Sequence, residues 1–84
     1  MLTVTEQHIK DGVPGCPSKC PIALSMLAAG YRDVYIGDTE LHYWSGTDMV
    51  RQLTLPMRSF VSSFDQRSAV IPFEFELNDL VRIM

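Results

Sequence analysis

The chain has 84 residues and carries ten acidic against seven basic side chains, a net charge of −3, so we expect one domain over residues 1–84 with a thin core. Its basic residues are scattered singly and form no stripe that could follow a phosphate backbone, so direct nucleic-acid binding is not expected. The sequence has neither an apolar run long enough to span a bilayer nor the basic and apolar regions of a signal peptide, which predicts a cytoplasmic protein without membrane contact.

The chain begins with a pattern typical of a short strand followed by a capped helical turn. Leu2–Val4 predicts the strand, and Thr5 is suited to cap a turn over residues 6–11 that Gly12 ends. Residues 13–19 are rich in proline and glycine and predict a loop.

A second helix is expected to begin with Cys20 at the cap and Pro21 at the first helical position, and to run to Ala29 with Gly30 as its C-cap. Only Ser25 is polar within it, so the helix must be covered on more than one side. Either a partner covers it, or its small alanines pack against the sheet.

Three antiparallel strands are predicted next, over Arg32–Ile36, Glu40–Trp44 and Met49–Leu55. Gly37-Asp38 is expected to form a two-residue type II′ turn, and residues 45–48 the second turn. The first turn would pair Val34 with Leu41 and Tyr35 with Glu40. The core face of this meander is then expected to carry Val34, Ile36, Leu41, Tyr43, Met49, Leu53 and Leu55.

The C-terminal third predicts one clean amphipathic helix and one further strand. After Pro56, apolar residues recur at helical spacing as Met57, Phe60, Val61 and Phe64. Pro72–Leu77 alternates apolar and acidic residues as a half-buried strand does. Residues 78–84 are either a last helical turn capped by Asn78 or an irregular tail. Together these elements predict an α+β fold, a small antiparallel meander joined by the C-terminal strand, with two main helices on one face.

The two cysteines and two histidines form one candidate site. Cys16 and Cys20 have a three-residue spacer, and with His8 and His42 they would complete a four-ligand zinc set. The alternative is that Cys20 is a small buried residue at the helix cap and Cys16 a loop thiol. A thiol nucleophile with His8 as its base lacks a third, orienting group, so we expect no enzyme and no cofactor other than zinc in that one interpretation.

The second candidate site is the face of the meander opposite Val34 and Leu41. Alternation places Tyr35, His42 and Trp44 there, with Glu40 beside them. Such a cluster could bind a ring-bearing ligand or another protein. The alternative is that another element or a second subunit covers the face and Trp44 belongs to the core.

Four short motifs resemble a family of short proteins encoded by tailed phages and bacterial genomes. They are Val4-Thr5-x-x-His8-Ile9-x-x-Gly12, Cys20-Pro21-Ile22-Ala23-Leu24, Phe60-x-x-x-Phe64-Asp65 and Pro72-Phe73-x-Phe75-x-Leu77. The resemblance covers most of the chain and implies a phage or prophage origin and a setting in the host cytoplasm. It carries over no catalytic residue, and it favours an accessory or counter-defence role.

These observations lead to three hypotheses. The first is a non-enzymatic accessory protein that binds and inhibits a host defence or regulatory protein, with an acidic surface that occupies a basic groove meant for nucleic acid. The second is sequestration of a signalling nucleotide by the Tyr35 and Trp44 face, between the subunits of a homo-oligomer. The third is a zinc-stabilised structural module.

Overall fold

The computed structural model describes residues 1–83 and confirms the α+β class, with three helices and two antiparallel sheets. The elements in chain order are β1 Leu2–Val4, α1 Glu6–Asp11, α2 Pro21–Ala28, β2 Arg32–Ile36, β3 Glu40–Trp44, β4 Asp48–Gln52, α3 Leu55–Asp65, β5 Phe73–Phe75 and a short 3-10 turn Leu77–Asp79. No helix among residues 1–83 has the length and apolar character needed to cross a membrane.

The strands pair into a meander in the order β2-β3-β4 and a separate ribbon in which β1 pairs with β5. The ribbon places Leu2 opposite Phe75 and Val4 opposite Phe73. The prediction that the C-terminal strand joins the meander is therefore wrong. Alternation along Pro72–Leu77 indicates which side chains face the core, but it contains no information on which strand is the hydrogen-bonding neighbour.

The first turn of the meander lies one residue later than predicted. Ile36 pairs with Leu41 and Tyr35 with His42, and the Gly37 N–H donates to the Glu40 carbonyl at 2.8 Å, so Asp38 and Thr39 form the turn. Tyr35 thus pairs with a β3 residue two positions later than predicted, His42 instead of Glu40. Because side chains alternate with a period of two, this shift leaves Val34, Tyr35 and Ile36 on their predicted faces. A bulge between Arg32 and Tyr35 changes the register at the start of β2, so that Arg32 lies opposite Trp44.

The third strand ends earlier than predicted, because a helix begins inside its expected range. The Thr54 hydroxyl accepts a hydrogen bond from the Met57 N–H at 3.4 Å and caps α3, whose first turn contains Pro56. Leu53 is buried as expected, but Leu55 is 72% exposed at the start of the helix, so its assignment to the core is wrong.

Helix α2 is covered by the chain itself. It packs against β1, β2 and α1, and Ile22, Ala23 and Met26 are fully buried. The buried Ser25 hydroxyl donates to the Ile22 carbonyl at 2.6 Å, so the one polar side chain of the helix is satisfied. The helix ends at Ala28, one residue before the predicted end.

The amphipathic stripe of α3 is buried as predicted, at Met57, Phe60, Val61 and Phe64. The Phe60 ring lies 4.9 Å from that of Phe73, which joins the helix to the β1-β5 ribbon. Residues from both sheets and from α2 and α3 form one apolar cluster.

The segment after the 3-10 turn lies antiparallel along the free edge of β4. Arg82 forms a bridge with Arg51, the Gln52 N–H donates to the Val81 carbonyl at 2.7 Å, and the Ile83 N–H donates to the Val50 carbonyl at 2.9 Å. Of the two predicted alternatives for residues 78–84, the helical turn does not form over residues 80–83, and Met84 lies outside the described residues.

Candidate functional site

One face of the meander is exposed, and we call it the outer face; it comprises Tyr35, Glu40, His42 and Trp44. In β3 buried and exposed residues alternate, so Leu41 and Tyr43 face the helices while His42 and Trp44 face away from them. The outer face therefore contains the residues predicted for it, because the two-residue shift of the turn preserves the alternation.

The aromatic side chains of the outer face are accessible in the folded chain. Tyr35 is 50% exposed and Trp44 is 39% exposed. The rings of Tyr35 and His42, which are cross-strand neighbours, meet edge to face at 5.8 Å. No element of residues 1–83 buries this cluster, so within the described chain Trp44 does not belong to the core.

The C-terminal segment widens the outer face, which sequence reasoning missed. His42 lies opposite Val50, and the Arg51–Arg82 bridge places Ile83 opposite Val50 on the other side. Tyr35, His42, Val50 and Ile83 thus form one row across four neighbouring segments. Val81 and Ile83 are both exposed large apolar residues. In the sequence, the alternation of Val81 and Ile83 with Arg82 is the one sign that this segment is extended, and it does not indicate which strand the segment pairs with.

Charged groups surround this row. Asp48 and Arg32 lie opposite Trp44 on its two sides, and Glu40 lies at the other end of β3. The Glu40 Oε2 atom is 3.7 Å from His42 Nε2, and both side chains are nearly half exposed. An exposed pair of this kind adds little to stability, so these groups are free to interact with another molecule.

The four predicted zinc ligands do not come together. His8 belongs to a capping box, in which the Thr5 N–H donates to His8 Nδ1 at 3.1 Å and the His8 N–H donates to Thr5 Oγ1 at 3.2 Å. His42 lies on the outer face. In the part of the chain that the structure describes, residues 1–83, no group of three or more His, Cys, Asp or Glu side chains is arranged to hold a metal ion.

The two cysteines lie in different environments. Cys20 is buried at the start of α2 and makes no capping hydrogen bond through its side chain, and burial raises the pKa of its thiol to about 11. Cys16 lies in the loop with its Sγ atom 3.6 Å from the Ser18 hydroxyl, and that hydrogen bond lowers the pKa of its thiol. Both cysteines are free thiols.

Comparison with protein-family models, with curated proteins and with solved structures gives no match for this chain. The function is therefore inferred from the arrangement of its own residues.

Proposed function

We propose that this protein is a non-enzymatic binding protein whose outer face docks on a host defence or regulatory protein and inhibits it. The supporting observation is that Tyr35 and Trp44 are 50% and 39% exposed, side by side with His42, on a sheet face that residues 1–83 leave uncovered. Exposed apolar patches on small domains mark interaction surfaces, and Tyr and Trp are enriched among the residues that contribute most to protein association.

Charge favours a partner with a basic rim around an apolar site. The chain has a net charge of −3, and the aromatic row is flanked by Glu40 and Asp48 against the single cation Arg32. Complementary charge steers encounter and selects the partner. A groove that binds nucleic acid carries basic residues of this kind. An acidic domain that occupies the groove would prevent nucleic acid from binding there.

A phage or prophage origin, which the sequence motifs imply, is part of the same proposal. Such a protein acts inside a bacterial host, where nucleic-acid-binding defence and regulatory proteins are accessible to it.

The test is affinity capture from a bacterial lysate, followed by a binding titration with the purified captured protein. We expect the double variant Tyr35→Ala with Trp44→Ala to lose roughly 2 kcal/mol or more of binding free energy, because these rings are exposed anchors. Far-UV circular dichroism should stay unchanged. Ile71→Ala is the matched control, because it removes an exposed apolar side chain that precedes β5 and should leave binding intact.

Two results would contradict the proposal. A double variant that unfolds would mean that Trp44 stabilises the fold rather than an interface, and a double variant that binds as tightly as the unchanged protein would mean that the contact lies elsewhere. Sedimentation velocity addresses a third outcome, since a dimer that the double variant dissociates would make a second copy of this chain the occupant of the outer face.

A further inference from the structure

A small cavity lies on the opposite side of the meander from the outer face, and neutral hydrogen-bonding side chains and one cation line it together with the apolar Met49 and Leu77. The cavity measures about 230 Å³, and its polar lining residues are Tyr31, Tyr43, Ser45, Arg51 and Asn78. We call it the arginine cavity. Among residues 1–83 no carboxylate lines it, although the chain as a whole is acidic.

Arg51 is held in place at the wall of this cavity. Its Nε–H donates to the Tyr43 hydroxyl at 2.9 Å, and its Nη1–H donates to the Leu80 carbonyl at 3.1 Å. A guanidinium has five N–H donors, so these two bonds leave one N–H of Nη1 and both of Nη2 without a hydrogen-bond partner among residues 1–83. The Tyr43 hydroxyl accepts from Arg51, so its own proton is also available to an acceptor in the cavity.

A second arginine lies directly across from the first. The Arg51–Arg82 bridge is flanked by two backbone hydrogen bonds, from the Gln52 N–H to the Val81 carbonyl and from the Ile83 N–H to the Val50 carbonyl. The two arginines are therefore a non-hydrogen-bonded pair of an antiparallel ladder. Such pairs bring the Cα atoms to about 4.5 Å and the side chains to the same face. Directly opposed like charges are destabilising, and among residues 1–83 no carboxylate lies within ion-pair distance of either arginine.

We infer that the arginine cavity binds a phosphate group, held by Arg51 and the Tyr43 hydroxyl at the cavity wall, with Arg82, which does not line the cavity, turning towards the bound anion from the neighbouring segment. The Arg51 guanidinium and the phenolic O–H donate hydrogen bonds of the kind that phosphate oxygens accept, and the exposed Arg82 side chain would add a second guanidinium once it turns towards the anion. The volume lies below the roughly 300–1,000 Å³ of pockets that enclose drug-sized ligands, so it suits a small oxyanion with only part of an attached group. Bound phosphate would also remove the repulsion between the two arginines. This inference does not depend on the outer face.

The test is isothermal titration calorimetry with inorganic phosphate and with adenosine monophosphate, together with melting temperatures at constant ionic strength. Both ligands should bind and raise the melting temperature, since they stabilise only the folded state. Equal affinities would mean that the phosphate alone is recognised, and tighter binding of the nucleotide that its sugar or base also contacts the cavity.

Arg82→Gln is the decisive variant, because its exposed side chain can be changed without opening the core. It should weaken phosphate binding by tenfold or more and, in phosphate-free buffer, raise the melting temperature by removing the like charge. Tyr43→Phe should also weaken binding. Lys10→Gln, which removes one positive charge from exposed α1, should bind phosphate as the unchanged protein does.

Two results would overturn the inference. They are the absence of a binding isotherm and a phosphate-induced rise in melting temperature that is equal in Arg82→Gln and the unchanged protein, because phosphate would then act only as a stabilising salt.

Discussion

The contrast between Cys16 and Cys20 shows how burial governs the chemistry of one residue type. Both thiols lie at the same end of α2, yet the pKa of Cys20 is raised by burial and that of Cys16 is lowered by its hydrogen bond with Ser18. A buried thiol resists ionisation because the thiolate would lose its hydration. Cys20 therefore behaves as a small apolar core residue.

The raised pKa of Cys20 predicts a loss of stability at alkaline pH. The thiol has a pKa of about 11 in the folded chain, above the ordinary cysteine value of 9.0, so its contribution to stability is complete below pH 9 and disappears as the pH rises through 11. The free energy of unfolding of the unchanged protein should fall by on the order of 2–3 kcal/mol relative to Cys20→Ser over this range, as measured by urea denaturation.

The serine variant is expected to fold, because serine is a better helix cap than cysteine. Cys16→Ser is the control and should not reproduce the alkaline difference. If the free energy of unfolding changes with pH in the same way for the unchanged protein and for Cys20→Ser, the Cys20 thiol ionises as freely in the folded chain as in the unfolded one. Stoichiometric zinc in the purified protein, lost with unfolding in Cys20→Ser, would restore the metal-site hypothesis.

At the scale of the element, the periodic patterns identified the helices and strands that bury one face. The spacing of Met57, Phe60, Val61 and Phe64 is longer than one turn and matches only a helix, and the alternation in β3 is equally clear. The predicted α3 stripe and the buried face of β3 are accordingly confirmed.

Helix α3 supplies a direct test of this stripe. Phe60→Ala should lower the free energy of unfolding by roughly 3–5 kcal/mol, because it removes a ring that packs on both Phe64 and Phe73. The measurement is the urea midpoint. Leu55→Ala in the same helix is the matched control and should change stability by less than about 0.5 kcal/mol, since Leu55 is exposed. Equal midpoints for the two variants would show that Phe60 is not a core residue.

Pairings between distant segments could not be read from these patterns. Nothing in Phe73–Phe75 indicates that β1 is its neighbour, or in residues 81–83 that β4 is theirs, because both are contacts between segments far apart in sequence. Thr54, two residues before Pro56, is itself a helix-start signal, and it indicates that α3 begins at Leu55. For the candidate site, the aromatic residues were predictable from alternation, whereas the addition of Ile83 and the closeness of Arg51 and Arg82 were not.

On the scale of the whole molecule, the two sheets share one core. Val4 and Phe75 from the ribbon, Val34 and Leu41 from the meander, and the buried residues of α2 and α3 belong to one cluster. The radius of gyration is 11.5 Å, close to the roughly 12 Å of a compact domain of this length. Neither sheet has a separate core that would hold it folded alone.

A shared core predicts that the ribbon and the meander unfold together. Differential scanning calorimetry should give a single transition whose calorimetric enthalpy equals the van't Hoff enthalpy, as it does for small cooperative domains. Two resolved transitions, or a calorimetric enthalpy well above the van't Hoff value, would show that the β1-β5 ribbon melts independently of the meander.

The position of Trp44 also makes the molecule its own optical reporter. Trp44 is the single tryptophan of the chain, and its indole is partly exposed at the end of β3. Water around an indole shifts its fluorescence to longer wavelengths, so a protein that covers the outer face should shift the emission maximum towards the blue. A phosphate in the arginine cavity lies on the other side of the sheet and should leave the indole hydrated. One emission spectrum therefore distinguishes which side of the meander is occupied.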